Sequence, residues 1–513
     1  MRGDNNDRLT ILSEAEKTAL YGIPLFDDFQ RLEYFAMTDS ERSLVMQRKG
    51  LLKQLYCLLQ IGYFKAKQAF FQFSLDEVPP EDVTFLLQRY FPEQTLTVEP
   101  LSAKEYYAQR SEIVALFGYR LWAANDLPTL LDKAILLART DITPTFLLAE
   151  MMVFLIGQRI VRPGYTTLQT IIRDALSAER DRLEQLVAAN LTNASLNILQ
   201  QLLVRENTLS DLAALKQNAK SFRYRQMCLE RQKQLMMAPL YVIAKVLLPK
   251  LEISQINIAY YASLANFYTI YDLRQLKPGQ THLYLLCYAW QRYRQLTDNL
   301  VEAFGYHTRH LEDNTKAVAN KQAIQIHNER QQATPRVGEL LLLYVDDTLA
   351  DVAPFGTVRQ RAFRIIPEER LRSTGKLLAE KPVSQMDLRW QAVDKQSGLC
   401  TNNLLSLAMV LNFESVTGSG KIWIAALQWM KNIFARKQQL AKQPLAEIPL
   451  HTLPKRLHNF LLSFDQDGKP VGLHSDRYEF WVYRQLRKRL DMGDIYLDDS
   501  VQHRRFADDL VSM

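Results

Sequence analysis

The 513-residue chain is poor in the residues that build covalent staples, metal centres and tight turns: 4 Cys, 8 His, 18 Gly and 19 Pro. Cys57, Cys228, Cys287 and Cys400 lie far apart and form no CxxC pair, which argues for a reducing compartment and against a zinc site. Among the histidines only His307 and His310 stand at helical spacing, with no further ligand nearby, so a surface pair on one helix is expected. Sparse Gly and Pro, with few alternating stretches, predict a mainly α fold. No repeat or low-complexity tract is present. The longest apolar run, residues 146–157, is too short to span a bilayer and contains Glu150. The start, MRGDNNDRLT, is polar and leads into no signal-peptide core, so a soluble intracellular protein is expected. GxxxxGK[ST], GxSxG and HExxH are all missing.

What is present is a globular composition, 47% apolar and 23% charged, at a length that suggests two to four domains of ~150 residues. The net charge of +7 is unevenly spread. Residues 1–180 carry 20 Lys+Arg against 23 Asp+Glu, a net of −3, whereas residues 215–330 carry 16 against 8, a net of +8. A basic middle suits contact with a phosphate backbone, and equally a solvated surface.

The N-terminal part reads as successive helices. Ser13 with Glu16, and Thr38 with Glu41, have capping-box spacing. Leu51, Leu52, Leu55, Leu58, Leu59 and Gly62 mark one helix face, with Arg48, Lys49, Lys53, Lys65 and Lys67 around it. Pro79-Pro80 opens another helix, which ends at Phe91-Pro92. Residues 105–122 pair an aromatic and aliphatic stripe with Arg110 and Arg120.

The stretch of greatest interest is GQRIVRPGYTTLQTIIRDALSAE, residues 157–179. Leu168, Ile171, Ile172, Ala175 and Leu176 give it helical periodicity, and Thr166 with Gln169 predicts a capping box at its start. Leu148, Met151, Met152 and Leu155 stripe the preceding helix. A helix, a basic turn and a helix with hydroxyls near its N-terminus resemble a helix-turn-helix. Periodicity alone is equally satisfied by an ordinary helical hairpin.

Stacked helices continue from Asp181 to about Gln280. Between them KSFRYRQMCLERQK, residues 220–233, interleaves basic residues with Phe222 and Tyr224. Lys277-Pro278-Gly279 is expected as a turn, a domain boundary is placed near Gln331, and GDIYL, residues 493–497, reads as a short strand. YVDD at 344–347 has the form of the two-aspartate turn of reverse transcriptases but lacks a flanking hairpin and a third upstream acid. Asp498/Asp499 and Asp508/Asp509 have little chain around them to build a two-metal scaffold. No catalytic or metal-binding residue is therefore assigned.

QRKGLLKQLYCLLQIGYF (47–64), YYAQRSEIVALFGYRLW (106–122) and QRIVRPGYTTLQTIIRDA (158–175) resemble the N-terminal half of the transposases of the Tn-three family. PFGTVRQRAFRIIP (354–367) and residues 476–512 are similar to later segments of the same family, in collinear order. The resemblance implies tandem helical DNA-binding domains for transposon terminal inverted repeats, then a helical dimerisation and scaffold region. The corresponding division here is 1–180, 181–330 and 331–513. It also implies an RNase H-like Asp-Asp-Glu domain using Mg²⁺, which in the family follows the segment resembling 476–512 and has no counterpart in this sequence.

The expectation is thus a multi-domain, mainly α chain that binds double-stranded DNA in the bacterial cytoplasm, at the nucleoid. It has no cofactor or catalysis of its own, and self-association or mixing with an intact transposase is allowed. Phosphate contacts are expected from Arg48, Lys49, Lys53, Arg110, Arg120, Arg159, Arg162, Arg223 and Arg225. Base reading is expected from Thr166, Thr167, Gln169, Thr170 and Arg173. One subunit of a split active enzyme, and a decayed remnant acting as scaffold or inhibitor, stay open as alternatives.

Overall fold

The computed structural model describes residues 9–96, 101–203, 211–350, 352–396, 398 and 403–511; Cys400 and the Asp509 side chain lie outside them. The fold is mainly α. The chain divides into two compact units, Met1–Val204 with Val242–Ala289, and Arg205–Tyr241 with Trp290–Met513.

The first unit opens with α1 (Glu14–Tyr21), α2 (Asp28–Tyr34), α3 (Asp39–Met46) and α4 (Leu51–Lys67). The capping boxes at Ser13/Glu16 and Thr38/Glu41 both form, each closing an orphan amide at a helix start. Helix α4 is buried on more than the one face expected of it, with every residue from Leu55 to Phe64 enclosed. Its core includes Phe26, Phe35, Val45, Leu86, Ile113 and Val114, contributed in part by α5 (Pro80–Tyr90) and α6 (Ala103–Leu116). Gly62 is the point of closest approach: a Cβ there would stand 2.3 Å from Cδ1 and Cε1 of Phe35.

A second apolar core joins α7 (Leu127–Thr140), α8 (Pro144–Gly157) and α9 (Tyr165–Asn190). It uses Leu130, Ala134 and Ala138 from α7, Leu147, Leu148, Met151 and Leu155 from α8, and Leu168, Ile171, Ile172 and Ala175 from α9. The small residues of α7 let its axis approach its neighbours closely, and the stripe expected on α9 is the one that is buried. The helix Gln255–Phe267 belongs to the same unit. Its buried Asn257 accepts from the Ile142 amide at 2.9 Å and donates to the Ala138 carbonyl at 2.8 Å, closing the C-terminal end of α7.

Lys277-Pro278-Gly279 is not a turn. Pro278 is the first residue of a helix that runs to Leu342, where a proline suits the first turn because its missing N–H has no helical partner there. The boundary expected near Gln331 falls inside this helix. The change of texture coincides with Pro335, which cannot donate to the Gln331 carbonyl and yet does not end the helix.

The core of the second unit gathers Leu300, Phe304 and Leu311 with Trp390, Phe413, Trp423 and Met430. Tyr478, Phe480, Val482, Tyr483 and Leu486 of the Ser475–Asp491 helix complete it. Its two-stranded sheet pairs Leu462–Phe464 with Pro470–Leu473 antiparallel, with Leu462 opposite Leu473 and an irregularity at Ser463/Phe464. The strand expected at 493–497 is reduced to an isolated bridge between Tyr496 and Glu414, because the amides around it are taken elsewhere, those of Asp494 and Ile495 by the Arg489 carbonyl and that of Leu497 by the His503 carbonyl.

The segment Tyr224–Leu251 is long and apolar enough to cross a membrane by length and composition, and Met237, Leu240, Ala244 and Leu247 in it are buried in the fold. His307 is no surface residue: its Nε2 lies 2.7 Å from the Phe222 carbonyl oxygen, and burial lowers its pKa.

Candidate nucleic-acid interface

The turn between α8 and α9 is shaped by three backbone features. The end of α8 closes through Arg159 in the left-handed region (φ 52°), with the Ile160 amide donating to the Leu155 carbonyl at 2.9 Å. The turn then pairs with the segment after α6: Arg120 N–H donates to Arg159 O, and Val161 N–H to Arg120 O, both at 2.9 Å. Pro163-Gly164 follows, and Gly164 is the N-cap of α9. The capping box expected at Thr166 therefore does not form. Helix α9 starts earlier, at Tyr165, leaving Thr166 inside the first turn with its carbonyl accepting from Thr170 Oγ1 at 2.9 Å.

Gln169, assigned to base reading, faces inward instead, and its Nε2 donates to the Leu9 carbonyl at 2.6 Å. This contact belongs to a clasp that holds residues 9–12 against α9. Tyr165 Oη accepts from the Ile11 and Leu12 amides at 3.2 and 3.3 Å, and the Lys17 ammonium sits 5.0 Å from the Tyr165 ring centre. Tyr21 meets Tyr165 edge-on at 5.9 Å. Arg162 also turns inward, its guanidinium 4.9 Å from the Tyr21 ring centre and donating to the Lys67 carbonyl at 2.7 Å. Burial lowers the pKa of Arg162, and burial pushes the Tyr21 phenol up to about 12, partly offset by the Arg162 charge. Tyr21 and Tyr165 were not singled out from the sequence, because partners some 150 residues apart leave no local pattern.

Other basic candidates are also engaged within the fold. Arg48, only 11% exposed, bridges Glu105 at 3.3 Å and pairs closely with Glu112, while Lys53 lies 3.6 Å from Glu105 and remains half exposed. Arg110 packs its guanidinium 5.4 Å from the Phe70 ring centre. Arg48, Arg110 and Arg162 thus each have a partner or a ring inside their own unit. Arg120 forms a two-pronged pair with Asp126 at 2.6 and 2.8 Å, but its side chain is 54% exposed.

Exposed are Lys49, Arg159, Thr166, Thr170 and Arg173, with Thr167 half-buried. Thr166, Thr170 and Arg173 follow one another at i, i+4 and i+7, so they form a single solvent-facing stripe of α9 opposite its buried stripe. Ser177 and Arg180 extend that stripe, and the same spacing would have found them in the sequence. Arg173 leans on Asp174 at 2.8 Å, an exposed pair of little energetic weight that a phosphate or guanine edge can displace. In the second unit Arg223 and Arg225 are exposed on either side of Tyr224, at the start of the Tyr224–Leu247 helix, while Phe222 packs on Tyr306 at 5.4 Å.

Two of the acidic candidates have other partners. Asp346 of YVDD accepts from the Thr348 amide at 2.9 Å and lies 3.4 Å from Arg361, and Asp499 accepts from Tyr241 Oη at 2.7 Å.

Residues 11–175 match a family model described as a domain of unknown function, DUF4158. That domain is found in transposases of the Tn-three family. No curated protein matches the chain.

Proposed function

We propose that this chain is a DNA-binding part of a Tn-three-family transposase that holds the terminal inverted repeats of a transposon. The observation that carries the reading is the match of residues 11–175, which ends inside α9 and takes in its exposed Thr166, Thr170 and Arg173. Helix α9 supplies the base-reading edge. Lys49, Lys53, Arg120, Arg159, Arg223 and Arg225 supply sequence-independent phosphate contacts. Tyr165, Gln169 and Arg162 hold the helix in place rather than touch DNA. On this reading the chain contributes end recognition, and bond cleavage belongs to a different domain.

The test is fluorescence anisotropy with two labelled duplexes, one carrying the inverted repeat that flanks the gene and one a scrambled duplex of equal composition, titrated from 50 to 200 mM salt, the range over which phosphate contacts reveal themselves. Preference for the repeat by about 10³ or more, with affinity falling steeply as salt rises, supports the proposal. Equal affinity for both duplexes at every salt concentration overturns it.

A further inference from the structure

A cavity of about 300 Å³ in the second unit is lined by Met386, Arg389, Trp390, Arg456, Trp481 and Arg484, among others. That volume is at the low end of small-ligand sites, which run from roughly 300 Å³ upward. A lone phosphate would leave most of it unfilled. Its floor is aromatic, with Trp390 and Trp481 5% and 7% exposed and Phe480 set edge-on to Trp390 at 6.2 Å.

The charge around it is lopsided. Arg389 and Arg484 share a single oxygen of Glu312, at 3.3 and 2.9 Å, and Arg487 and Lys316 press on the same carboxylate at 3.2 and 3.3 Å. Four cations therefore converge on one buried acid. A guanidinium carries five N–H donors, so Arg389 and Arg484 keep donors unused by Glu312. Burial and the neighbouring Arg484 charge lower the pKa of Arg389, the mark of a cation short of counter-charge. Arg456 is exposed at the cavity edge and makes no ion pair among the described residues. Independently of this charge, the Trp390 Nε1–H is enclosed and has no hydrogen-bond partner among the described residues, whereas that of Trp481 donates to the Thr452 carbonyl at 3.2 Å. An unpartnered buried donor beside arginines asks for a ligand with both an acceptor-bearing ring and an anion.

We propose that this cavity binds one phosphorylated nucleoside, its base against Trp390 and Trp481 and its phosphate held by Arg389, Arg456 and Arg484. The proposal does not rest on duplex binding by α9. The same chemistry is offered by a free nucleotide and by the 5′ end of a DNA strand. Aromatic stacking accepts any base, so discrimination comes from the phosphate.

The full chain is titrated with deoxyadenosine 5′-monophosphate, deoxyadenosine, inorganic phosphate and a 5′-phosphorylated pentathymidylate, followed by calorimetry. The monophosphate binds at least about tenfold more tightly than deoxyadenosine or phosphate alone, since base and phosphate contribute together. Arg456→Ala weakens it about fivefold or more with an unchanged melting temperature, because the side chain is exposed and unpaired. Trp390→Phe, which keeps a six-membered aromatic ring and removes the N–H together with the pyrrole part of the stacking face, weakens it about threefold or more. Tighter binding of the pentathymidylate assigns the cavity to strand ends, and equal or weaker binding assigns it to free nucleotides. No saturable binding of either nucleotide by the folded chain, or wild-type affinity in Arg456→Ala, overturns the proposal.

Discussion

Glu312 is the most heavily subscribed side chain of the second unit, and Glu312→Gln is the substitution whose effect can be worked most fully from the structure. Its carboxylate, 5% exposed, faces Arg484, Arg487, Lys316 and Arg389 at 2.9 to 3.3 Å. Burial pushes its pKa up, but the hydrogen bond and charge of Arg484, with those of Lys316, outweigh burial and bring it down to about 2 from the ordinary 4.5. A carboxyl depressed on folding contributes stability that is complete above the unfolded value and is lost as pH falls toward the folded one. At about 1.4 kcal/mol per pH unit the contribution at neutral pH is about 3 kcal/mol, in line with the ~3–5 kcal/mol for breaking a buried pair. Glutamine keeps the shape and removes the charge, leaving Arg389 and Arg484 with no counter-ion among the described residues, while Arg487 keeps Asp491 at 3.1 Å and Lys316 keeps Asp313 at 3.6 Å.

Urea unfolding followed by tryptophan fluorescence reports on this unit, because Trp290, Trp390, Trp423, Trp429 and Trp481 lie in it and only Trp122 does not. Wild type should exceed the variant by about 3 kcal/mol at pH 7, and the gap should narrow by about 1.4 kcal/mol between pH 5.5 and 3.5. A gap below about 1 kcal/mol at pH 7, or one unchanged between the two acidic conditions, would refute the reasoning.

Glu479 gives the opposite sign: burial, helped by the Asp476 charge and opposed by a hydrogen bond from Tyr483, pushes its carboxyl up to about 8. Stability is then lost as pH rises from 4.5 toward 8, so Glu479→Gln should gain on wild type by about 2.5 kcal/mol between pH 5.5 and 7.5; parallel melting curves would contradict this. Gly62→Ala gains up to about 1 kcal/mol of helix propensity but drives a methyl into the 1%-exposed Phe35, so a net loss of about 1–3 kcal/mol is expected, partly relieved by Phe35→Leu in a double-mutant cycle. Arg173→Ala should weaken binding to the inverted repeat by about 1–3 kcal/mol and to a scrambled duplex by less; equal losses would remove its base-reading role. Lys49→Ala should instead weaken both duplexes alike and lower the salt slope by about 1, which a plot of log affinity against log salt measures.

The parts legible in the sequence are those encoded within a few residues. Ser13/Glu16 and Thr38/Glu41 cap helices as spaced, and Leu168, Ile171, Ile172 and Ala175 are buried as their period requires. What local spacing could not show has its partners distant along the chain. Arg48 looked available because Glu105 and Glu112 lie 57 and 64 residues away. Gln169 looked like a cap because Leu9, 160 residues earlier, was invisible to local spacing. Of the candidate interface, the α9 stripe could be read, whereas the side chains that orient α9 could not.

That clasp has a thermodynamic consequence. Tyr165, Gln169 and Arg162 tie α9 to Leu9, Ile11, Leu12, Tyr21 and Lys67, so the orientation of the exposed stripe and the docking of the first helix are one equilibrium rather than two. If only a fraction of molecules has the N-terminal segment docked, apparent affinity at α9 falls by that fraction. Reciprocally, any ligand gripping α9 must protect residues 9–21 from exchange and proteolysis, although it touches none of them.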